Sequence, residues 1–237
     1  MAPLKNWDNK TWLSSQRYIL SFNRFILKQI KLDRNSRVLD IGCGRGKIIS
    51  NLSNKLKLHN KPIGIDIEKH KDKSEKIIFK KTDALSFVSK TKINFDLILI
   101  KQTIHLVKKN QINKLLLICK NKLNTNGKII ILSLDPHKNE IPAFDLMKKK
   151  LKQSLKRDKS LFQLIKKFNT NLTVKKFIFN VKISKNKYLQ MIKNRYISTL
   201  LNFTKKQIQN GLNEIDKKYK KELNFKDQLI CLIIKNN

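Results

Sequence analysis

Apolar residues along this chain follow two different spacings. Tyr18, Phe22 and Ile26 belong to a series that recurs every three to four residues, which predicts an amphipathic helix over 11–31. Short, nearly continuous apolar runs follow, and such runs predict buried strands. These runs lie at 37–41, 62–67, 77–79, 95–100 and 127–134, with helical spacing between them at 45–57 and 112–123.

The alternation of buried strands with amphipathic helices predicts a parallel sheet covered on both faces. Right-handed crossovers make such a sheet doubly wound. The C-terminal part has a different pattern, with one or two Lys-rich helices, an alternating strand, two helices and a last apolar strand. Their ranges are 143–168, 177–183, 185–220 and 228–234. We therefore expect an α/β fold with a mostly parallel sheet of seven strands.

Length and composition favour a globular chain with one core. The 237 residues, 40% of them hydrophobic, fit a single domain over 1–237, with no linker long enough to separate a second one. No apolar run reaches the length of a membrane span, and the N-terminus lacks the apolar stretch of a secretion signal. Three distant cysteines argue against a disulfide framework. These features predict a cytoplasmic protein.

The net charge of +36 changes this picture less than its size implies. Lys and Arg total 53 against 17 acidic residues, but only seven are Arg. Arg is the residue favoured for bidentate contacts with phosphate and guanine. We therefore interpret most of the Lys excess as solvated surface, and nucleic acid as an unfavoured but open partner.

A glycine-rich loop, Asp40-Ile41-Gly42-Cys43-Gly44-Arg45-Gly46, follows the first strand and precedes a helix. Ligands of such sheets bind at the carboxyl ends of the strands, next to helix N-termini. A phosphate-binding P-loop needs four residues between its glycines and a hydroxyl after the lysine; this loop has three residues, and Ile48 follows Lys47. The third glycine also comes one residue too early for a dinucleotide fingerprint.

The loop resembles motif I of the class I S-adenosylmethionine-dependent methyltransferases, and further motifs follow in the family's order. The second motif, in which an acidic residue ends the second strand, resembles Gly64–Ile67. The third motif resembles Thr82-Asp83-Ala84, and the fourth strand with its following loop resembles Phe95–Ile100 and the residues up to His105. Gly127–Ile131 resembles the fifth strand. The resemblance implies a Rossmann-like sheet, S-adenosylmethionine as cofactor, S-adenosylhomocysteine as product and no metal.

The resemblance also implies roles for individual residues. Asp66 lies about 20 residues beyond the loop, where an acid accepts hydrogen bonds from ribose hydroxyls, although a turn-capping role is the alternative. Ile67 is expected to pack on adenine, and Asp83 with Ala84 to face its amino edge; Asp83 is also a candidate helix cap. The remaining residues expected around the cofactor are Asp40, Gly42, Cys43, Gly44 and Lys101, with Arg17 meeting the methionine carboxylate.

The absence of two known motifs limits the chemical class of the methyl acceptor. Lys101-Gln102-Thr103-Ile104 stands where amide-nitrogen methyltransferases carry N-P-P-Y or D-P-P-Y, and no cysteine follows a proline as in C5-cytosine enzymes. The chain then resembles the small-molecule type 11 methyltransferases, trans-aconitate methyltransferase among them. In these relatives a helical insertion covers the substrate, which predicts a cap over 184–222.

His105 is the candidate catalytic residue, because it follows the fourth strand and its ordinary pKa suits a base or a hydrogen-bond donor. Packing in the loop is the alternative role. His137 is a weaker candidate, and we expect His59 and His70 on the surface.

The sequence thus predicts a single methyltransferase domain, with an N-terminal helical segment over 1–35, a cofactor-binding core over 36–134 and the cap over 184–222. Its predicted activity is transfer of a methyl group to an O, N, S or carboxylate acceptor of a small molecule by in-line displacement. Two alternatives remain open. One is an RNA methyltransferase that uses its Lys-rich helices, and the other is a non-catalytic S-adenosylmethionine-binding protein. The sequence does not specify the oligomeric state.

Overall fold

The computed structural model describes residues 11–70, 73–169 and 171–236, which form seven α-helices and seven strands of one sheet. The first ten residues of the predicted segment 1–35 lie outside the described residues. The helices are α1 (Gln16–Gln29), α2 (Lys47–Leu56), α3 (Ala84–Lys90), α4 (Lys109–Asn121), α5 (Asp145–Phe168), α6 (Lys185–Lys193) and α7 (Lys205–Lys218). The strands are β1 (Val38–Ile41), β2 (Ile63–Asp66), β3 (Ile78–Lys81), β4 (Phe95–Lys101), β5 (Leu123–Leu134), β6 (Leu172–Ser184) and β7 (Glu222–Lys235). Short 3₁₀ turns occur at Trp12–Ser14, Ile104–Leu106 and Ser198–Leu200.

The sheet has the strand order β3-β2-β1-β4-β5-β7-β6. Strands β1 to β5 pair in parallel, and β7 is antiparallel to both of its neighbours. The strand order reverses direction at β1, between β2 and β4, which is the switch point where doubly wound sheets bind ligands. The predicted α/β class with a mostly parallel sheet of seven strands is confirmed.

Alternate residues of each strand contribute to two separate cores. In β4, Leu97 and Leu99 join the core on the face of α1 and α2, whereas Ile98 and Ile100 join the core with α4. Successive side chains of a strand point to opposite faces, so both faces of a central strand must be apolar. The continuous apolar runs of the sequence reflect this two-sided burial.

Element boundaries differ from the sequence prediction mainly at the C-terminal strands. β7 begins at Glu222, six residues before the predicted start, because its alternating segment up to Asp227 pairs with β6. The region 143–168 forms one helix, α5, rather than two. At about 1.5 Å per residue, its 24 residues form a helix roughly 36 Å long. This helix is longer than a crossover between two short strands requires.

The segment between β6 and β7 leaves the sheet at its carboxyl edge. Since β7 is antiparallel to both β5 and β6, β6 runs in the same direction as β5 and ends at the same edge. α6 and α7 pack on each other and on the core that contains Phe144. Gly211 of α7 lies directly against this ring, since a Cβ there would come within 2.6 Å of Phe144 Cδ1.

Among the described residues, no helix is both long and apolar enough to cross a membrane.

The contact between Gly211 and Phe144 yields a stability prediction. Gly211→Ala improves helix propensity but forces a methyl group into a ring that is 2% exposed. Overpacking of this kind costs about 1–3 kcal/mol. We therefore expect a lower free energy of unfolding in urea. The control is Asn210→Ala at the neighbouring exposed position, which gains propensity without the clash and leaves stability equal or slightly higher. Equal stability of both variants would show that α7 does not pack tightly on Phe144.

Candidate active site

A cavity of about 770 Å³ opens at the carboxyl edge of the sheet. It begins at the ends of β1 and β2 and extends past β4 to α5 and to the 3₁₀ turn Ser198–Leu200. Its volume is in the upper part of the range for small-molecule sites, about 300–1,000 Å³. The lining includes Gly42, Asp66, Ile67, Glu68, Asp83, Ala84, Gln102, Thr103, His105, Leu151, Ser154, Leu155, Arg157, Asp158, Ile197, Ser198 and Thr199.

The glycine loop adopts a backbone that side chains rarely permit. Gly42 has φ 75° and Gly44 has φ 53°, both in the left-handed region. A Cβ at Gly42 would overlap the Thr103 side chain, so only glycine allows the loop to approach the end of β4. A Cβ at Gly44 would meet no atom within 4 Å. The loop thus leaves open space beside its backbone, as a ligand-binding loop requires.

Asp66 fixes the turn after β2 and still faces the cavity. Its Oδ2 accepts a hydrogen bond of 2.9 Å from the Gly44 amide, and its Oδ1 accepts one of 3.0 Å from the Glu68 amide. The capping role considered from the sequence is therefore present. Because a carboxylate has about four acceptor positions, Asp66 retains capacity for a ligand hydroxyl.

Three further predicted residues line the same end of the cavity. Ile67 is 62% exposed, an unusual position for an isoleucine, and presents an apolar surface to the cavity. Asp83 caps α3, since its Oδ1 accepts from the Ser86 amide at 2.9 Å. This hydrogen bonding lowers the pKa of the Asp83 carboxyl. Ala84 lies beside it at the start of α3.

Asp40 and Lys101 lie beneath the loop rather than in the cavity wall. Asp40 is buried, and burial raises the pKa of its carboxyl to about 7, with Lys101 acting in the opposite direction and Asp66 in the same one. Lys101 Nζ lies 3.0 Å from Gln102 Oε1 and 5.4 Å from the centre of the Tyr18 ring. Both residues are therefore buried outside the cavity lining.

Arg17 and Cys43 lie outside the cavity lining. Arg17 is exposed on α1, with its guanidinium 5.7 Å from the centre of the Phe179 ring. Its contact with the methionine carboxylate stays a prediction. Cys43 lies behind the loop against Gly64, and burial raises the pKa of its thiol far above the ordinary value. A thiol in this state fills space and is a poor nucleophile.

His105 lines the cavity on the β4 side. Its Nδ1 is buried and has no hydrogen-bond partner among the described residues. Burial lowers the pKa of the imidazole, while Asp158 raises it and Arg157 lowers it. The ring is therefore neutral at physiological pH and able to accept a proton.

The exposure of the other three histidines differs in part from the sequence prediction. His59 is exposed as expected, but His70 is buried and lines the cavity, so the expectation that it lies on the surface was wrong. His137 is exposed and outside the lining, with its amide donating to Asp135 Oδ1 at 2.9 Å. The structure thus brings His70 and His105 to the cavity and leaves His137 away from it.

Sequence reasoning missed the wall that α5 contributes. Leu151, Leu155, Phe162 and Ile165 form a regular apolar stripe on this helix, and Asp158 occupies the position of the stripe between Leu155 and Phe162. A charged residue on an otherwise apolar helical face was the available signal.

The comparisons with known proteins agree with this geometry. A model of the methyltransferase domain family matches residues 32–196, more than half of the chain. No curated protein matches the chain.

Several solved structures share the fold. A putative methyltransferase from an antibiotic biosynthesis pathway of Anabaena variabilis is 14% identical with a TM-score of 0.63, over 90% of this chain and 96% of that one. The plantazolicin methyltransferase BpumL, solved in complex with SAH, is 21% identical with a TM-score of 0.55, over 98% and 88%. An S-adenosylmethionine-dependent methyltransferase from Archaeoglobus fulgidus is 21% identical with a TM-score of 0.53, over 93% and 94%.

At these identities the solved structures establish the fold, and the family model establishes the membership. The narrower likeness to type 11 enzymes and to trans-aconitate methyltransferase stays a prediction. With the motifs in the family's order along the sequence, and with Gly42, Asp66 and Asp83 lining one cavity, the chain belongs to the methyltransferase domain family and is a class I S-adenosylmethionine-dependent methyltransferase, as its sequence predicted.

Proposed function

We propose that this methyltransferase acts on a small molecule that binds beside the cofactor in the cavity. The observation that carries the proposal is the continuity of one cavity of about 770 Å³ from Asp66 and Ile67 to His105 and α5. A site of this size accommodates a nucleoside cofactor together with a modest acceptor. The cofactor supplies a methyl group activated by its positively charged sulfur.

The cofactor end has the residues that a nucleoside requires. In our proposal Asp66 accepts a hydrogen bond from a ribose hydroxyl, Ile67 packs against the adenine face, and Asp83 with the Ala84 backbone faces the adenine amino edge. Support comes from their shared cavity wall and from the exposed apolar surface of Ile67, which a flat ring would cover. Gly42 lines the cavity, and Gly44 has open space beside its backbone.

Asp40 and Lys101 are proposed to hold the loop, and Asp40 is also a candidate to bind the cofactor's amino group. A positive charge next to Asp40 would favour its ionised form. His105 is proposed as the catalytic residue. We propose no role for Cys43 beyond packing.

The segment 184–222 is proposed to cover the substrate as a cap, within a single domain over 1–237. Support comes from Ile197, Ser198, Thr199 and Leu201, which line the cavity opposite the sheet edge. Other apolar residues of this segment lie in the core rather than in the cavity lining. These are Ile192, Tyr196, Leu200 and Phe203, with Leu189 partly buried beside them. A cover of this kind excludes water from the reacting groups.

The RNA alternative depends on the Lys-rich faces of α5 and α7, which are exposed. It stays a hypothesis, and steeply salt-dependent retention on an RNA column would favour it. The four acidic residues of the cavity lining, Asp66, Glu68, Asp83 and Asp158, disfavour the binding of a polyanion such as RNA in the cavity.

The non-catalytic alternative predicts cofactor binding without turnover on any acceptor.

Ile67 provides a direct test of the cofactor site. We expect wild type to bind S-adenosylhomocysteine in calorimetric titrations and not to bind NAD. Ile67→Ala should weaken that binding by about 1–2 kcal/mol, because it removes buried methylene-sized contacts worth about 0.8 kcal/mol each. Stability should not change, since the side chain is exposed without ligand. The control is Ile78→Ala, an exposed isoleucine of β3 outside the cavity. Equal weakening by both variants would remove Ile67 from the site.

Asp40 gives a pH-dependent prediction for the protein without ligand. Because folding raises the pKa of this carboxyl from an ordinary value near 4 to about 7, the folded protein retains the proton longer than the unfolded chain. Its contribution to stability is complete below about pH 4 and is lost as the pH rises to 7, with a slope of at most about 1.4 kcal/mol per pH unit. We expect Asp40→Asn to remove this decline from urea-unfolding curves measured across that range. Parallel pH profiles for variant and wild type would contradict the prediction.

A further inference from the structure

The cavity wall reverses the charge balance of the chain. Across the whole sequence, Lys and Arg outnumber Asp and Glu by 53 to 17. Among the described residues that line the cavity, four are acidic, as named above, and only Lys108 and Arg157 are basic. Three of the acids stand at the proposed nucleoside end. Asp158 alone stands on the far wall, where the acceptor would bind.

Asp158 is a buried carboxylate with little compensation from the protein. Its residue is 6% exposed and occupies a position on the apolar stripe of α5. Nε and Nη2 of the adjacent Arg157 both approach its Oδ1 at 3.4 Å, a long distance for a charge-assisted bond, and the Arg157 side chain is 60% exposed. The described residues donate no hydrogen bond to its Oδ2.

A buried carboxylate in this situation requires a positive partner. A charge in a desolvated site is unfavourable unless a hydrogen-bonded partner of opposite sign compensates it. A chain with 46 lysines supplies none of them to the Asp158 carboxylate among the described residues. Its ion-pair partner among the described residues is the adjacent, exposed Arg157, and a cationic ligand in the cavity would add a second positive charge next to it.

His105 is the second unsatisfied group on the same wall. Its buried Nδ1 lacks a partner among the described residues, and Asp158 and Arg157 line the same cavity. Asp158 raises the pKa of the imidazole, whereas Arg157 lowers it. A neutral imidazole and a carboxylate thus face one part of the cavity.

We propose that the methyl acceptor is an amine, which binds as its ammonium form to Asp158 and loses a proton to His105 before it reacts. This inference rests on the proposed function and narrows its acceptor class from O, N, S or carboxylate to nitrogen. Asp158 acts as a substrate-binding residue, and His105 as the proton acceptor.

The reaction balances with these groups alone. The ammonium donates one N–H to Asp158 Oδ2 and transfers another proton to an imidazole nitrogen of His105. The free nitrogen lone pair then forms the bond to the methyl carbon, and the electron pair of the broken carbon–sulfur bond stays on sulfur. The products are a methylated ammonium, protonated His105 and S-adenosylhomocysteine, with the total charge unchanged.

An anionic acceptor fits this wall poorly. A carboxylate or phosphate beside Asp158 would place two like charges in a site shielded from water. A neutral hydroxyl could donate one hydrogen bond to Asp158 but would not neutralise its charge. The amine satisfies both the charge of Asp158 and the proton-accepting capacity of His105.

The test compares three probes that share a phenyl group, which suits the apolar part of the lining: 2-phenylethylamine, 2-phenylethanol and phenylacetate. Each is titrated calorimetrically into protein saturated with S-adenosylhomocysteine, and each is assayed for methyl transfer with radiolabelled cofactor. We expect the amine to bind most tightly and to be the methylated probe. Asp158→Asn should weaken amine binding by about tenfold or more, because it removes a charged partner while keeping the shape.

Two measurements separate recognition from a structural role of Asp158. Asp145→Asn, an exposed position on the same helix, is the matched control and should bind the amine as wild type does. In NMR titrations of His105, Asp158→Asn should lower the midpoint, since the Asp158 charge raises the pKa of this imidazole against the effects of burial and Arg157. Retained binding of S-adenosylhomocysteine by Asp158→Asn reports that the variant is folded.

The outcomes are distinct. Preference for phenylacetate or phenylethanol, equal binding of the three probes, or binding of none overturns the amine assignment. So does undiminished amine binding by Asp158→Asn. Each of these results leaves the cofactor site intact provided that S-adenosylhomocysteine binds. Failure of wild type to bind S-adenosylhomocysteine would instead contradict the proposed function itself.

Discussion

The parallel pairing of β1 with β2 on one side and β4 on the other is the constraint on which the site depends. Its register sets Ile41 beside Ile65 and Ile100, so the three strands end within one residue of each other. The glycine loop, Asp66 and the turn before His105 therefore meet at one edge. Residues separated by more than 60 positions in sequence line the same cavity because these three short strands end at the same level of the sheet.

The glycine loop is held in place from both sides. Asp66 accepts a hydrogen bond from the Gly44 amide, and the Ile65 carbonyl accepts from the Gly42 and Cys43 amides at 2.8 and 3.1 Å. Asp40 and Lys101 lie below, where burial makes the ionisation of Asp40 sensitive to pH near neutrality. The loop is thereby preorganised, so a ligand finds open space beside Gly44 without displacing a side chain.

Charge is distributed in two distinct ways in this protein. The lysines lie largely on exposed helix faces, where solvent screens them and they contribute little to specificity. The cavity lining is acidic, and solvent screens the charge of the buried Asp158 less than it screens the surface lysines. The net charge of the chain is thus a poor guide to its ligand, and the few charges inside the cavity are a better one.

The sequence by itself determined the order of strands and helices up to residue 134, the glycine loop and the acids at 66 and 83, because local periodicity and motif spacing are set by neighbouring residues. It misjudged what depends on distant packing. His70, expected on the surface, is buried in the cavity wall, since contacts with elements remote in sequence decide its position. The contribution of α5 was likewise invisible until the helix was set against the sheet edge. Only the tertiary structure brought Asp158 and His105 to the lining of one cavity, because the two lie on elements that β5 separates in sequence.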